Sequence, residues 1–128
     1  MSIKYVAFSK KQLQLLTWWT DESPYHDLNG VIAEGAIRAG KTIIMGLSFI
    51  LWSMQKSSDI NYAICGKTVA STRRNIIEPL IEMLKQRKFK VIDRKTEGKL
   101  IVIKNNNKNT YYIFGGKDEG SASLIQGI

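Results

Sequence analysis

The sequence is poor in the residues that build cross-links and metal sites. It has a single cysteine, which excludes a disulfide framework within the chain and fits a reducing compartment. With one histidine beside it, the chain cannot assemble a Cys/His zinc site alone. Long apolar runs are also lacking. The longest, Ile43 to Met54, is broken by Gly46, Ser48 and Ser53 and is too short to span a bilayer. The N-terminus has no apolar signal-peptide core. There is no internal repeat, and the only biased tract is Asn105 to Asn109. These absences leave a soluble intracellular protein as the expectation.

The apolar content is 44% of 128 residues, enough for one domain with a core. A chain of this size buries roughly two-thirds of its unfolded surface, which argues against a disordered polycation. The net charge is +8, with a pI near 9.7. Residues 1–64 carry six basic and five acidic side chains, whereas residues 65–128 carry thirteen and six. The second half is therefore where a phosphate polymer would be attracted, unless the lysines form only a solvated surface.

Ser9 precedes Gln12 by three residues, a capping-box pattern, and Leu13, Leu16 and Trp19 follow at helical spacing. The spacing predicts a helix over Ser9 to Asp21. Gly30 to Glu34 reads as a buried strand, Lys41 to Lys56 as a long apolar helix, and Asn61 to Cys65 as a second strand. Thr68 to Arg87 reads as a helix kinked at Pro79. Lys90 to Lys95, Leu100 to Lys104 and Thr110 to Phe114 read as a β-meander, with turns at Glu97-Gly98 and Asn105 to Asn109. Asp118 to Gln126 reads as a short helix or turn, Cys65 as a strand-end core thiol, and His26 as a loop imidazole. The order predicts an α/β protein with a mostly parallel sheet flanked by helices and an antiparallel β-meander addition. Its regions are 1–29 (helix and loop), 30–87 (strand–helix units) and 88–128 (meander and terminal segment).

Gly35-Ala36-Ile37-Arg38-Ala39-Gly40-Lys41-Thr42 is the G-x-x-x-x-G-K-T pattern of a P-loop, between a predicted strand and a predicted helix. The glycines let successive N–H groups curl toward phosphate oxygens, and the helix adds the positive end of its dipole. Lys41 would reach the β- and γ-phosphates of ATP, and the Thr42 hydroxyl would bind Mg²⁺. This makes the fold a partial P-loop NTPase core. Two readings stand for Arg38: contact with the γ-phosphate, or a pair with an acid such as Glu34. Two also stand for Gln12: an adenine-reading amide, or the capping-box partner of Ser9. Phe8, Trp18 and Trp19 either flank a base or belong to the core.

Beyond the P-loop, the chain resembles tailed-phage terminase large subunits of the PBSX-like branch. The residues that carry this are Phe8-Ser9-Lys10-Lys11-Gln12, the arginine-containing P-loop, and Gly66-Lys67-Thr68 with Thr72-Arg73-Arg74-Asn75 and Ile77-Glu78-Pro79-Leu80. Thr110 to Glu119, continuing into Ser121 to Gly127, completes the match. The resemblance implies the N-terminal part of an ATPase domain. It implies Gln12 as adenine contact, Gly35 to Thr42 as the phosphate and Mg²⁺ site, and Lys41 and Arg38 as catalytic groups. The Lys67 to Arg74 region is implied as a surface for DNA or a neighbouring subunit. The implied function is ATP hydrolysis driving double-stranded DNA into procapsids in the host bacterial cytoplasm, with a terminase small subunit and a portal protein as partners and no membrane.

The family continues into a strand ending in an acidic pair that holds Mg²⁺ and orients the attacking water, and then into a nuclease domain. This sequence has only Asp118-Glu119 as such a pair, after Gly115-Gly116-Lys117, where a turn or helix start is expected. The expectation is therefore a chain that binds ATP with little or no turnover alone. The unpaired edge of its P-loop strand invites self-association. The alternative is a non-catalytic truncated homolog that docks to motor subunits or DNA through the basic Arg87 to Lys108 segment. A small P-loop kinase is disfavoured by the lack of an arginine-rich lid.

Overall fold

The computed structural model describes residues 10–28, 30 and 41–116. Helix α1 spans Lys10–Thr17 and α2 spans Lys41–Lys56. Strand β1 (Asn61–Gly66) follows, then helices α3 (Val69–Thr72) and α4 (Glu78–Gln86) joined by a π-turn at Arg73–Ile77. Strands β2 (Lys90–Arg94), β3 (Lys99–Lys104) and β4 (Asn107–Gly115) complete the described elements. The predicted strand Gly30 to Glu34 and the predicted turn or helix Asp118 to Gln126 lie outside the described residues, apart from Gly30.

The helix predicted to reach Asp21 stops at Thr17 because its last carbonyls find other partners. The Ser48 hydroxyl donates to Leu16 O (2.9 Å), and Thr20 N–H closes a tighter turn onto Thr17 O (3.1 Å). Helix α2 has the predicted bounds. Its C-terminal end is held by two asparagines of β4. Asn107 Nδ2 donates to Met54 O (2.7 Å), and Asn109 Nδ2 donates to Ser53 O and Ser57 O (3.1 Å each). Asn109 Oδ1 also accepts the Ile60 N–H (3.0 Å), which steers the chain into β1. The bond to Met54 O satisfies a carbonyl that a helix C-terminus otherwise leaves unpaired. Of the Asn tract, only Asn105 and Asn106 form the turn, with Asn105 at φ 54°, a left-handed conformation that asparagine tolerates.

The sheet order is β1-β4-β3-β2. β4 pairs with β1 in parallel and with β3 antiparallel, and β3 pairs antiparallel with β2. Among the described strands the sheet is thus mixed rather than mostly parallel. The reason is that the last meander strand, not an independent βαβ unit, takes the place beside β1.

One face of this sheet carries Tyr62, Ile64, Val91, Leu100, Val102, Tyr111 and Ile113. It packs on Ile44, Leu47, Ile50 and Met54 of α2, Ile77, and Leu80 and Leu84 of α4. The described helices lie on this face only, rather than flanking the sheet on both sides. Tyr111 sits at its centre, fully buried, and its hydroxyl bonds to the Ser53 hydroxyl. Burial pushes the Tyr111 phenol up to about 12, against the opposing pull of Ser53 and Asn109 beside it.

Pro79 falls in the first turn of α4, where a missing N–H is tolerated. The irregularity predicted there is taken up just before it by the π-turn, where Glu78 N–H reaches back to Arg73 O. At the other end of this helical segment, Thr68 caps α3 by accepting the Ser71 N–H. Here β1 and α3 approach closely. A Cβ on Gly66 would lie 1.8 Å from Thr72 Oγ1 and 3.0 Å from Thr72 Cβ. Gly66→Ala is expected to cost about 2 kcal/mol by overpacking. Thr72→Ala, which removes the nearest clashing atom, should recover part of that loss. A double-mutant cycle by urea unfolding measures the coupling; purely additive losses would contradict it.

Candidate functional site

Helix α2 leads into β1 through a short loop, so the two run in opposite directions. The first turn of α2 therefore lies toward the end of the sheet where β1 and its parallel neighbour β4 finish. Carboxyl ends of parallel strands are where open α/β sheets place ligands. Lys41 and Thr42 are the first two residues of α2, and Thr42 is exposed. The first four N–H groups of such a helix have no intrahelical partner and favour an anion. Gly35, Ala36, Ile37, Arg38, Ala39 and Gly40 lie outside the described residues, as do Phe8 and Ser9. Gln12 lies on α1, half-buried.

Trp19 Nε1 donates to Ser48 Oγ (3.1 Å), midway along α2, and the same hydroxyl donates to Leu16 O. Leu15, Trp18, Trp19, Met45, Phe49 and Trp52 line a cavity of about 640 Å³, joined by Asp21, His26 and Lys56. This cavity follows the flank of α2 from Met45 to Lys56, away from its first turn. Trp19 thus ties the segment after α1 to α2, and Trp18 lines the same cavity. His26 is a loop residue as expected, with Nδ1 2.9 Å from Ser23 O and Nε2 3.0 Å from Asp27. Cys65 lies near the strand end as expected, but exposed rather than in the core. Alternation puts it on the sheet face away from the helices.

Arg73 is a site that sequence reasoning missed. Within a basic stretch this residue reads as surface, yet it is 7% exposed. One terminal nitrogen, Nη2, pairs with the Asp93 carboxylate on β2. Its Nε and Nη1 are buried with no hydrogen-bond partner among the described residues. The helical phase of Ile76, Ile77 and Leu80 is the only signal that could have placed it inward.

The architecture so far defines a mixed α/β domain with a long helix opening on Lys41-Thr42. It superposes on the large terminase of a thermophilic bacteriophage with a TM-score of 0.92 at 47% identity, over 96% of this chain and 30% of that one. The same terminase in complex with ADP gives 0.86 at 45% identity, over 91% and 29%. In complex with ATP-gamma-S it gives 0.83 at 43%, over 88% and 28%. No protein-family model and no curated protein matches the chain. The chain belongs to the terminase large-subunit family. It spans about 30% of the length of these solved relatives. Among the described residues, no helix is long and apolar enough to cross a membrane.

Proposed function

We propose that the chain is the ATP-binding part of a phage DNA-packaging motor, in which hydrolysis by the whole large subunit drives double-stranded DNA into a procapsid. The observation that carries this is the likeness, at 43–45% identity, to a large terminase solved with ADP and with ATP-gamma-S. The Gly35 to Thr42 sequence supplies the phosphate cradle, with Lys41 on the β- and γ-phosphates. Arg38 is the arginine directed at the γ-phosphate and Gln12 the adenine contact. Thr42, exposed on the first turn of α2, is the residue whose hydroxyl would hold Mg²⁺. Mg²⁺ there would neutralise phosphate charge. The DNA, a terminase small subunit and a portal protein are the partners of the whole motor in the host cytoplasm.

In this reading the 128-residue chain binds nucleotide without turning it over. Titrating ATP into the purified chain, with and without Mg²⁺, while following phosphate release tests both halves. Saturable binding is expected, weakened at least about tenfold by Lys41→Ala, a loss of about 1.4 kcal/mol, with release at background. Robust turnover would overturn the binding-only assignment. Equal affinity of the wild type and Lys41→Ala would overturn the P-loop assignment.

A further inference from the structure

The sheet face turned away from the helices has its own charge pattern. Strand register arranges it in three rows. Arg94, Lys99 and Tyr112 are adjacent in the first, Ile92, Ile101 and Thr110 in the second, and Lys90, Ile103 and Lys108 in the third. Lys90, Arg94 and Lys108 are exposed, and the residues between them are half-buried. No residue in these rows is acidic. Of the nearest described acids, Asp93 of β2 falls on the opposite face, where it pairs with Arg73, Glu97 pairs with Lys99 at 3.3 Å, and Asp59 adjoins Lys108 through its backbone. The first and third rows are four residues apart along each strand, about 13 Å. A B-DNA major groove is about 12 Å wide, so the two cationic rows match phosphate backbones on either side of a groove. The isoleucines between them carry no charge and are half-buried.

We infer that this face of the β-meander is a docking surface for the phosphate backbones of duplex DNA. The inference rests on the terminase reading for the choice of polyanion, and on charge complementarity for the surface. Single-stranded nucleic acid is the poorer fit. Tyr112 is the one aromatic of the three rows, and its ring is already stacked on Phe114 (6.4 Å) with Lys99 above it (5.9 Å). It offers no free platform for an unpaired base.

The test is anisotropy of a labelled random-sequence duplex with the full 128-residue chain across a salt series. Four phosphate contacts predict a slope of about −3.6 in log K against log salt. Lys90→Gln with Arg94→Gln should flatten that slope by about 2 units. Lys56→Gln with Lys85→Gln, an equal charge change on the helices, should leave it within about half a unit. Thermal melts of both variants check that they fold. No duplex binding at low salt, equal flattening by both variant pairs, or tighter binding of a single strand of the same length would each overturn the inference. ATP affinity measured on the same samples separates the two readings. A lost DNA slope with intact ATP binding refutes the surface alone, and lost ATP binding with an intact slope refutes the nucleotide site alone.

Discussion

Asp93→Ala is expected to destabilise the fold by about 3 kcal/mol, whereas Arg73→Met leaves stability unchanged or raises it. The asymmetry follows from burial. Arg73 is 7% exposed, and its ion pair with Asp93 accounts for one of its three guanidinium nitrogens. The other two are buried without partners among the described residues, each costing about 1–3 kcal/mol of lost hydration. Removing Asp93 leaves a buried cation with no counter-charge, the most expensive way to break such a pair. Removing the arginine deletes all of its buried donors at once. It leaves a carboxylate whose side chain is 34% exposed and can be hydrated. Methionine also keeps the packing of the stem. Urea midpoints at unchanged m-value measure both changes. Equal losses in the two variants would mean that the pair is a net source of stability, contrary to this account.

Asn109→Ala should cost a comparable amount, about 2–4 kcal/mol. The side chain is 1% exposed and serves three backbone groups: the Ile60 N–H and the carbonyls of Ser53 and Ser57. Ser53 O retains bonds from the Ser57 amide and hydroxyl. The cost therefore falls mainly on Ile60 N–H and Ser57 O, which alanine leaves without the amide. Asn109→Asp should be at least as damaging, because it keeps one acceptor but turns the donating nitrogen into an oxygen facing two carbonyls. A calorimetric scan of the two variants checks the order. An aspartate variant as stable as the wild type would refute the assigned amide orientation.

Much of the fold is legible in the sequence. The apolar spacing of Ile43 to Met54 marks α2 with its observed bounds, and the runs Leu100 to Lys104 and Thr110 to Phe114 mark the hairpin strands, short of their observed starts at Lys99 and Asn107. Three features are not legible, each for a physical reason. Pairing of β4 beside β1 is a contact between segments about fifty residues apart, which local periodicity does not encode. The Asn tract has turn composition, yet Asn107 and Asn109 act as remote caps, because an amide offers the same donor and acceptor to any backbone within reach. Arg73 shares the helical phase of Ile77, Leu80 and Leu84, but a charged side chain in a basic stretch gives no apolar signal that marks it as buried. At the candidate site, the Gly35 to Thr42 motif is readable from spacing. Gln12, by contrast, carries a pattern shared by caps and base contacts alike.

The asparagine caps give α2 a mechanical character. A helix of sixteen residues is a strut about 24 Å long. One of its ends begins at Lys41, and the other is clamped to β4 through Asn107 and Asn109. With that far end fixed, α2 has little freedom to slide like a piston. A push applied at its first turn would reach β4 through these bonds, and through β4 both of its neighbouring strands.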